Sequence, residues 1–219
     1  MRMIASKWKK FDVLRRHRGV ARHIPYMRPF SESALREMLQ RFRFVVAKPY
    51  VGTGGGGVIK IARTGDGRYL THYRFQEIMH PSWGSLLRYI NRIRRRRQYM
   101  IQQGIDLATV NGRRVDYRVK IVKRPSGHWH ITAFVARLAR PGLFVTNLAQ
   151  GGELMSGRRA LKSAFPKLAA DKRLTMTGVA RTCTKLLEQR YPGIGQLGYD
   201  FGIDKRGTVW ILEVNTRPH

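Results

Sequence analysis

Residues 44–63 read FVVAKPYVGTGGGGVIKIAR: two apolar runs on either side of a tip that holds Thr53 and five glycines. FVVAKPY and VIKIAR have the β-branched content of strands, so the stretch is expected to form a hairpin. A tip of Gly52, Gly54, Gly55, Gly56 and Gly57 has no Cβ atoms to hold its backbone away from a ligand. Its amides can close over phosphate oxygens, with the Lys48 ammonium as a nearby point charge. The loop lacks a GK[ST] ending, and its lysine precedes the glycines from within a strand, which excludes a P-loop. The strand that follows excludes a dinucleotide-binding fingerprint. A glycine-rich tip without a ligand is the plainer alternative.

Outward from this hairpin, KWKKFDVLRRHR (residues 7–18) spaces Trp8, Phe11, Val13 and Leu14 as a short amphipathic helix. HIPYMRPF carries two prolines and is expected to be extended or turning. Ser31 or Ser33 then caps a helix through SALREMLQRF. On the other side, YLTHYRF extends the small sheet. WGSLLRYINRIRRRRQ has a helical period and ends in four arginines, and YMIQQGI reads as a strand. VDYRVKIVKR and HWHITAFVARLA alternate about a PSG turn as a second hairpin, followed by the glycine-bearing loop TNLAQGGE. A helix over 171–190 and two strands about DKRG complete an α+β chain of mostly antiparallel sheets.

Two further groups of residues carry chemistry. Glu213 and Asn215 in ILEVN share one face of a strand, and Asp200 in GYDFGID can lie across from them on the hairpin partner. Two carboxylates and an amide oxygen make an all-oxygen site suited to Mg²⁺. The alternative is an acid–arginine pair steadying the hairpin near Arg217. Asp116 and Arg118 share a strand face as well, which places a fixed cation where it could meet a transferring phosphoryl group, with Asn147 close by. Here the alternative is an ordinary cross-strand ion pair.

The 219 residues, 42% apolar, are enough to bury a core. One cysteine, Cys183, permits no internal disulfide, and no Cys/His cluster has zinc spacing, which favours a cytoplasmic setting. Neither a signal-peptide core nor a run of 18 apolar residues occurs. With 43 Lys and Arg against 13 Asp and Glu, the formal charge of +30 attracts any polyanion. Nucleic acid, an acidic peptide or partner protein, an anionic wall polymer and an anionic membrane surface all answer that field, as does a solvated surface with no partner. Nucleic acid is not favoured, because no reader motif accompanies the charge.

SKW near the start, VVAKPYVGTGGGGVIKI, YMIQQGI, VDYRVKIV, TNLAQGG, GYDFGID and WILEVNTRP stand in an order that resembles the ATP-grasp superfamily. The resemblance is strongest to the YheC/YheD group of endospore coat-associated proteins, from about residue 6 to the end. More distant likenesses are to the ligase that adds glutamates to a ribosomal protein and to D-alanine–D-alanine ligase.

The resemblance implies ATP, with one or two Mg²⁺ ions, clamped between two lobes of antiparallel sheet under a glycine-rich flap. It implies a helical segment over 1–44, a small lobe over 45–107 and a C-terminal lobe with the metal site over 108–219. Lys7 and Lys48 match phosphate-binding lysines, Lys7 standing beside Lys9 and Lys10. Gln102, Gln103 and Ile105 match the adenine hinge, which usually holds an acidic residue where one of these glutamines stands. Asp116 matches a ribose or lid position, Arg118 and Asn147 match phosphate or acyl-phosphate contacts, and Asp200, Glu213 and Asn215 match the metal ligands.

The activity implied is an ATP-dependent carboxylate–amine ligase acting through an acylphosphate on a peptide or other anionic substrate, in the cytoplasm or at the spore. A non-catalytic nucleotide-binding coat protein and a basic nucleic-acid-binding protein are the rivals. Six residues before Lys7 leave no room for the additional N-terminal α/β domain of such enzymes, so the expectation is a short form whose acceptor site is built differently or completed by a partner.

Overall fold

A computed structural model describes residues 2–52, 54–146 and 148–218, so the expectations attached to Thr53 and Asn147 lie outside the described residues. The central hairpin forms as expected: β2 (Phe44–Pro49) pairs antiparallel with β3 (Ile59–Arg63), setting Val46 opposite Lys60. Alternation decides the faces. Val45, Ala47, Ile59 and Ile61 are fully buried on one side, and each contributes about 1–3 kcal/mol of burial free energy. β4 (Tyr69–Tyr73) and β5 (Gln76–His80) extend the hairpin on one side. β6 (Tyr99–Gln103) and β1 (Met27–Pro29) extend it on the other, giving the order β1-β6-β2-β3-β4-β5.

Two helices cover the apolar face of this first sheet. Ser31, rather than Ser33, caps α3 (Glu32–Arg41), accepting from the Ala34 amide at 3.1 Å. Ser82 caps α4 (Trp83–Arg94). The arginine run does not continue that helix: Arg95 and Arg96 have φ of 46° and 61°. Arg97 turns back to donate to the carbonyls of Ile93 and Arg94, satisfying the open end of α4. Ala34, Leu35, Met38, Leu86 and Ile90 fill the core between helices and sheet.

The second sheet has the order β10-β9-β8-β11-β12. It is built from β8 (Arg113–Lys123), β9 (Trp129–Leu138), β10 (Glu153–Ser156), β11 (Gln196–Ile203) and β12 (Val209–Asn215), with the two-residue β7 (Thr109–Val110) on β8. α5 (Gly157–Ala164) and α6 (Ala169–Arg190) pack on its apolar face, where Tyr117, Val119, Tyr199, Phe201 and Leu187 are buried. The N-terminal 44 residues divide between the sheets. Phe11 and Leu14 of α1 (Lys7–Leu14) and Val20 of α2 (Arg18–Ala21) enter the second core, whereas β1 and α3 belong to the first.

Candidate functional site

The faces of the two sheets turned away from their helices face each other across a cavity of about 340 Å³. Alternation on β2 puts Phe44, Val46 and Lys48 on its roof, with Lys60 of β3 and Gln102 of β6 on either side of Val46. The floor carries Asp116 of β8, Arg137 of β9, Asp200 of β11 and Glu213 of β12. Gly55 of the hairpin tip also lines the space.

Lysines dominate one end. Lys48 Nζ donates to Gln102 Oε1 at 2.5 Å and to the Leu212 carbonyl at 3.3 Å. Burial pulls the Lys48 ammonium down to about 8 and Lys7 adds to the shift, while Glu213 opposes it. Lys7, 4% exposed, donates to the Gly52 carbonyl at 2.5 Å and stands 3.4 Å from Glu213, tying the base of the glycine tip to β12. Lys10 is turned inward to the Ile4 carbonyl at 2.7 Å, and Lys9 donates no side-chain hydrogen bond among the described residues. Of the three neighbouring lysines, Lys7 is therefore the one joined to both tip and acid. Gly54, Gly55 and Gly57 have φ of 64°, 73° and 80°, which L side chains rarely adopt. A Cβ on Gly57 would also stand 2.5 Å from the Tyr99 hydroxyl.

Floor chemistry is set by register. β8 pairs Asp116 with Arg137 on one side, Arg118 pairs with Asp200 on the other, and Asp200 stands opposite Glu213. Arg118 Nε and Nη2 donate to the two oxygens of Asp200 at 2.7 and 2.9 Å. Arg137 grips both oxygens of Asp116, at 2.8 and 2.5 Å, and reaches Asp200 Oδ2 at 3.0 Å. Burial raises the Asp116 carboxyl in spite of Arg137. Burial also opposes ionisation of Asp200, but Arg137 and Arg118 together hold it below the usual carboxylate range.

Gln103 and Ile105 line the cavity where the chain passes from the first sheet to the second. The Gln103 side chain is occupied outside the cavity, accepting from the Tyr26 amide at 3.2 Å. Gln102 is 2% exposed, and with its carbonyl oxygen on Lys48 its Nε2 is a buried donor with no partner among the described residues. Gly104 lets the Phe44 ring lie on the connection, since a Cβ there would be 2.2 Å from the ring.

The structure thus brings Lys48, Gly55, Gln102, Gln103, Ile105, Asp116, Asp200 and Glu213 to one cleft, with Lys7 joined to it through Glu213 and Gly52. Arg118 stands beside it on Asp200, and Asn215 follows Glu213 two residues on along β12. Arg137 and Lys60 escaped sequence reasoning. Arg137 is the lone cation of FVARLA and Lys60 stands between two isoleucines in VIKIAR, and that was the available signal. Among the described residues no group of three or more His, Cys, Asp or Glu side chains is placed to hold a metal. Two acids and an amide are present instead. Among the described residues Asp200 accepts three hydrogen bonds where a carboxylate has about four lone-pair sites, which leaves one on Oδ1. With Glu213 and Asn215 on the adjacent strand, the set fits an oxygen-seeking cation.

Residues 2–219 match the family model described as YheC/D like ATP-grasp. The chain is 28% identical over 220 residues to the endospore coat-associated protein YheD of Bacillus subtilis (strain 168), covering 97% of this chain and 48% of that protein. It is 20% identical to the endospore coat-associated protein YheC of the same strain, covering 99% and 61% respectively. The chain thus spans about half the length of the curated relatives it matches. Among solved structures, N5-carboxyaminoimidazole synthetase from Staphylococcus aureus, complexed with ADP, superposes with a TM-score of 0.59 at 10% identity, over 99% of this chain and 46% of that one. N5-carboxyaminoimidazole ribonucleotide synthetase from Thermotoga maritima gives 0.55 at 14% identity, over 99% and 42%. The fold is that of the ATP-grasp proteins, and the chain belongs to the YheC/D-like ATP-grasp family.

Proposed function

We propose that the chain is an ATP-dependent carboxylate–amine ligase. The observation that carries this is Lys48. A buried ammonium, one of whose partners is an amide oxygen, faces a cleft whose opposite wall holds Asp200 and Glu213, beneath a backbone of glycines. Such an arrangement suits a polyphosphate approached by cations from one side and by a metal from the other. The buried Gln102 Nε2, which has no partner among the described residues, and the apolar Phe44 and Val46 suit a base in the remaining space.

Lys7 and Lys48 bind phosphate oxygens, and the backbone of Gly54 to Gly57 closes over them. Glu213 and Asn215, with the remaining lone pair of Asp200, would hold Mg²⁺, which would offset charge on the phosphates. A substrate carboxylate oxygen attacks the γ-phosphorus, the bond to the β–γ bridging oxygen breaks, and ADP leaves. An amine then attacks the acyl carbon, the carbon–oxygen bond to phosphate breaks, and the nitrogen loses a proton to give an amide. Arg118, oriented by Asp200, faces charge on the phosphoryl group in flight, and Asp116, held by Arg137, keeps the floor in register. Asn147 is assigned to the same acyl-phosphate contact from its place in TNLAQGG. The units proposed are 1–44, 45–107 and 108–219, and an anionic acceptor such as an acidic peptide suits the +30 charge. The residence proposed is the cytoplasm or the spore, and the names of the relatives, both endospore coat-associated proteins, support the latter.

Calorimetry with ATP and Mg²⁺, on the parent protein and on Glu213→Ala, tests the site. ADP release with pooled amino acids or acidic peptides, with hydroxylamine as the trapping amine, tests the chemistry. Metal-dependent binding that disappears in the variant, with hydroxamate formed from one pool, is expected. Binding without turnover in any pool favours a nucleotide-binding coat protein over a ligase, and no binding by folded protein overturns the site.

A further inference from the structure

Arg118 and Arg137, already described, point from the second sheet toward the first, and so does Lys120 of β8. Tyr117, Val119 and Ile121 are buried in the helix-side core, so strand alternation puts Lys120 on the same face as Arg118, two residues and about 6.6 Å further along. The two arginines hold Asp116 and Asp200. Lys120 is partly buried and has no hydrogen-bond or ion-pair partner among the described residues.

Its neighbours are short. Register sets Ala133 of β9 on one side and Gly198 of β11 on the other, with Asn215 of β12 beyond Gly198. Pro218 packs over Gly198 so closely that a Cβ there would lie 2.5 Å away, which bounds the row at that end. The row is therefore a shallow trough in which the Lys120 ammonium is the long polar group. It lies outside the walls of the 340 Å³ cavity, on the far side of Arg118 from Asp116. The Arg118 guanidinium already has Asp200 as its anion, so the partly buried Lys120 ammonium, two residues further along, is left to meet an anion from outside the protein.

We infer that Lys120 binds a second, non-reacting carboxylate of the acid substrate, so that the substrate is a dicarboxylic acid of the aspartate and glutamate class. This rests on the ligase proposal above. The reacting carboxylate lies at Arg118 and the phosphoryl group, and its companion lies one step along the strand at Lys120. Lys120 fixes which end of the diacid is activated and takes no part in bond making.

The test uses the full chain, Lys120→Met, which keeps the length of the side chain, and Lys120→Arg. Binding of ATP with Mg²⁺ is measured first by calorimetry. Hydroxamate formation with hydroxylamine then compares L-glutamate, L-aspartate and tri-L-glutamate with L-glutamine, L-asparagine and tri-L-glutamine. Expected are preference for the diacids, a KM for them raised about tenfold or more in Lys120→Met with smaller change in kcat, unchanged nucleotide affinity, and recovery in Lys120→Arg. Normal nucleotide binding with no preference for diacids, or with the preference intact in Lys120→Met, overturns the assignment of Lys120 and leaves the ligase proposal standing. Failure of the parent protein to bind nucleotide overturns both.

Discussion

Replacing Arg137 with methionine removes the group that holds the floor of the cleft together. Arg137 makes two hydrogen bonds to Asp116 and an ion pair to Asp200, and it and Asp116 are 7% and 3% exposed. Breaking a buried pair by removing one partner strands the other charge, at a cost of about 3–5 kcal/mol. At ~2–4 °C per kcal/mol for a chain of this size, melting falls by roughly 6–20 °C. The loss also acquires a pH signature. Burial already raises the Asp116 carboxyl, and without Arg137 it rises further, so the folded state retains a proton that the unfolded chain releases above about 3.9. A group that binds more protons folded than unfolded stabilises the fold as pH falls. The deficit of Arg137→Met is therefore largest near neutrality and narrows toward pH 4. Urea denaturation followed by circular dichroism at pH 4.5, 6 and 7.5 measures it, and Asp116→Asn in the Arg137→Met background should restore part of the loss. A deficit under about 1 kcal/mol that does not change with pH would refute the reasoning.

Other outcomes follow from the same geometry. With Lys48 at about 8, nucleotide binding above that pH should take up a proton, because phosphate favours the ammonium; heats measured in buffers of different ionisation enthalpy report it, and Lys48→Arg should abolish it. Gly57→Ala forces an L residue to φ of 80° and a methyl toward Tyr99, so it should cost more than the ~1–2 kcal/mol of backbone strain expected at Gly54, where a Cβ meets nothing within 4 Å; Tyr99→Phe should recover part of the difference in thermal melts. Cys183 is fully buried and its thiol is pushed up to about 12 by that burial, so iodoacetamide should label it only when the protein is unfolded.

Much of the fold was legible because its principal hairpins are local. FVVAKPY with VIKIAR, VDYRVKIV with ITAFVARLA, and GYDFGID with TVWILEVN announce strands by β-branched runs or alternation and turns by glycine or proline. Of the two serines the sequence offered as a cap, Ser31 takes the place. The short strands β5, β7 and β10 were not legible: Gln76–His80 and Glu153–Ser156 have few β-branched residues, and Thr109–Val110 is two residues long, so pairing with neighbours and not propensity makes them strands.

For the cleft, spacing within one strand put Glu213 with Asn215 and Asp116 with Arg118, and the glycine tip after Lys48 pointed to a loop whose backbone could approach a ligand. Periodicity tells which face a side chain takes, but register with a distant strand decides which residue it meets. That is why Asp116 finds Arg137, why Asp200 is shared by two guanidiniums, and why Lys48 meets Gln102. Lys7 reaches Gly52 and Glu213 only because α1 packs on the second core, which brings an ammonium from the start of the chain against a carboxylate near its end. Local pattern determined the strands, the turns and the glycine tip; long-range packing of two sheets, burying charges that must then find partners, decided the chemistry of the floor between them.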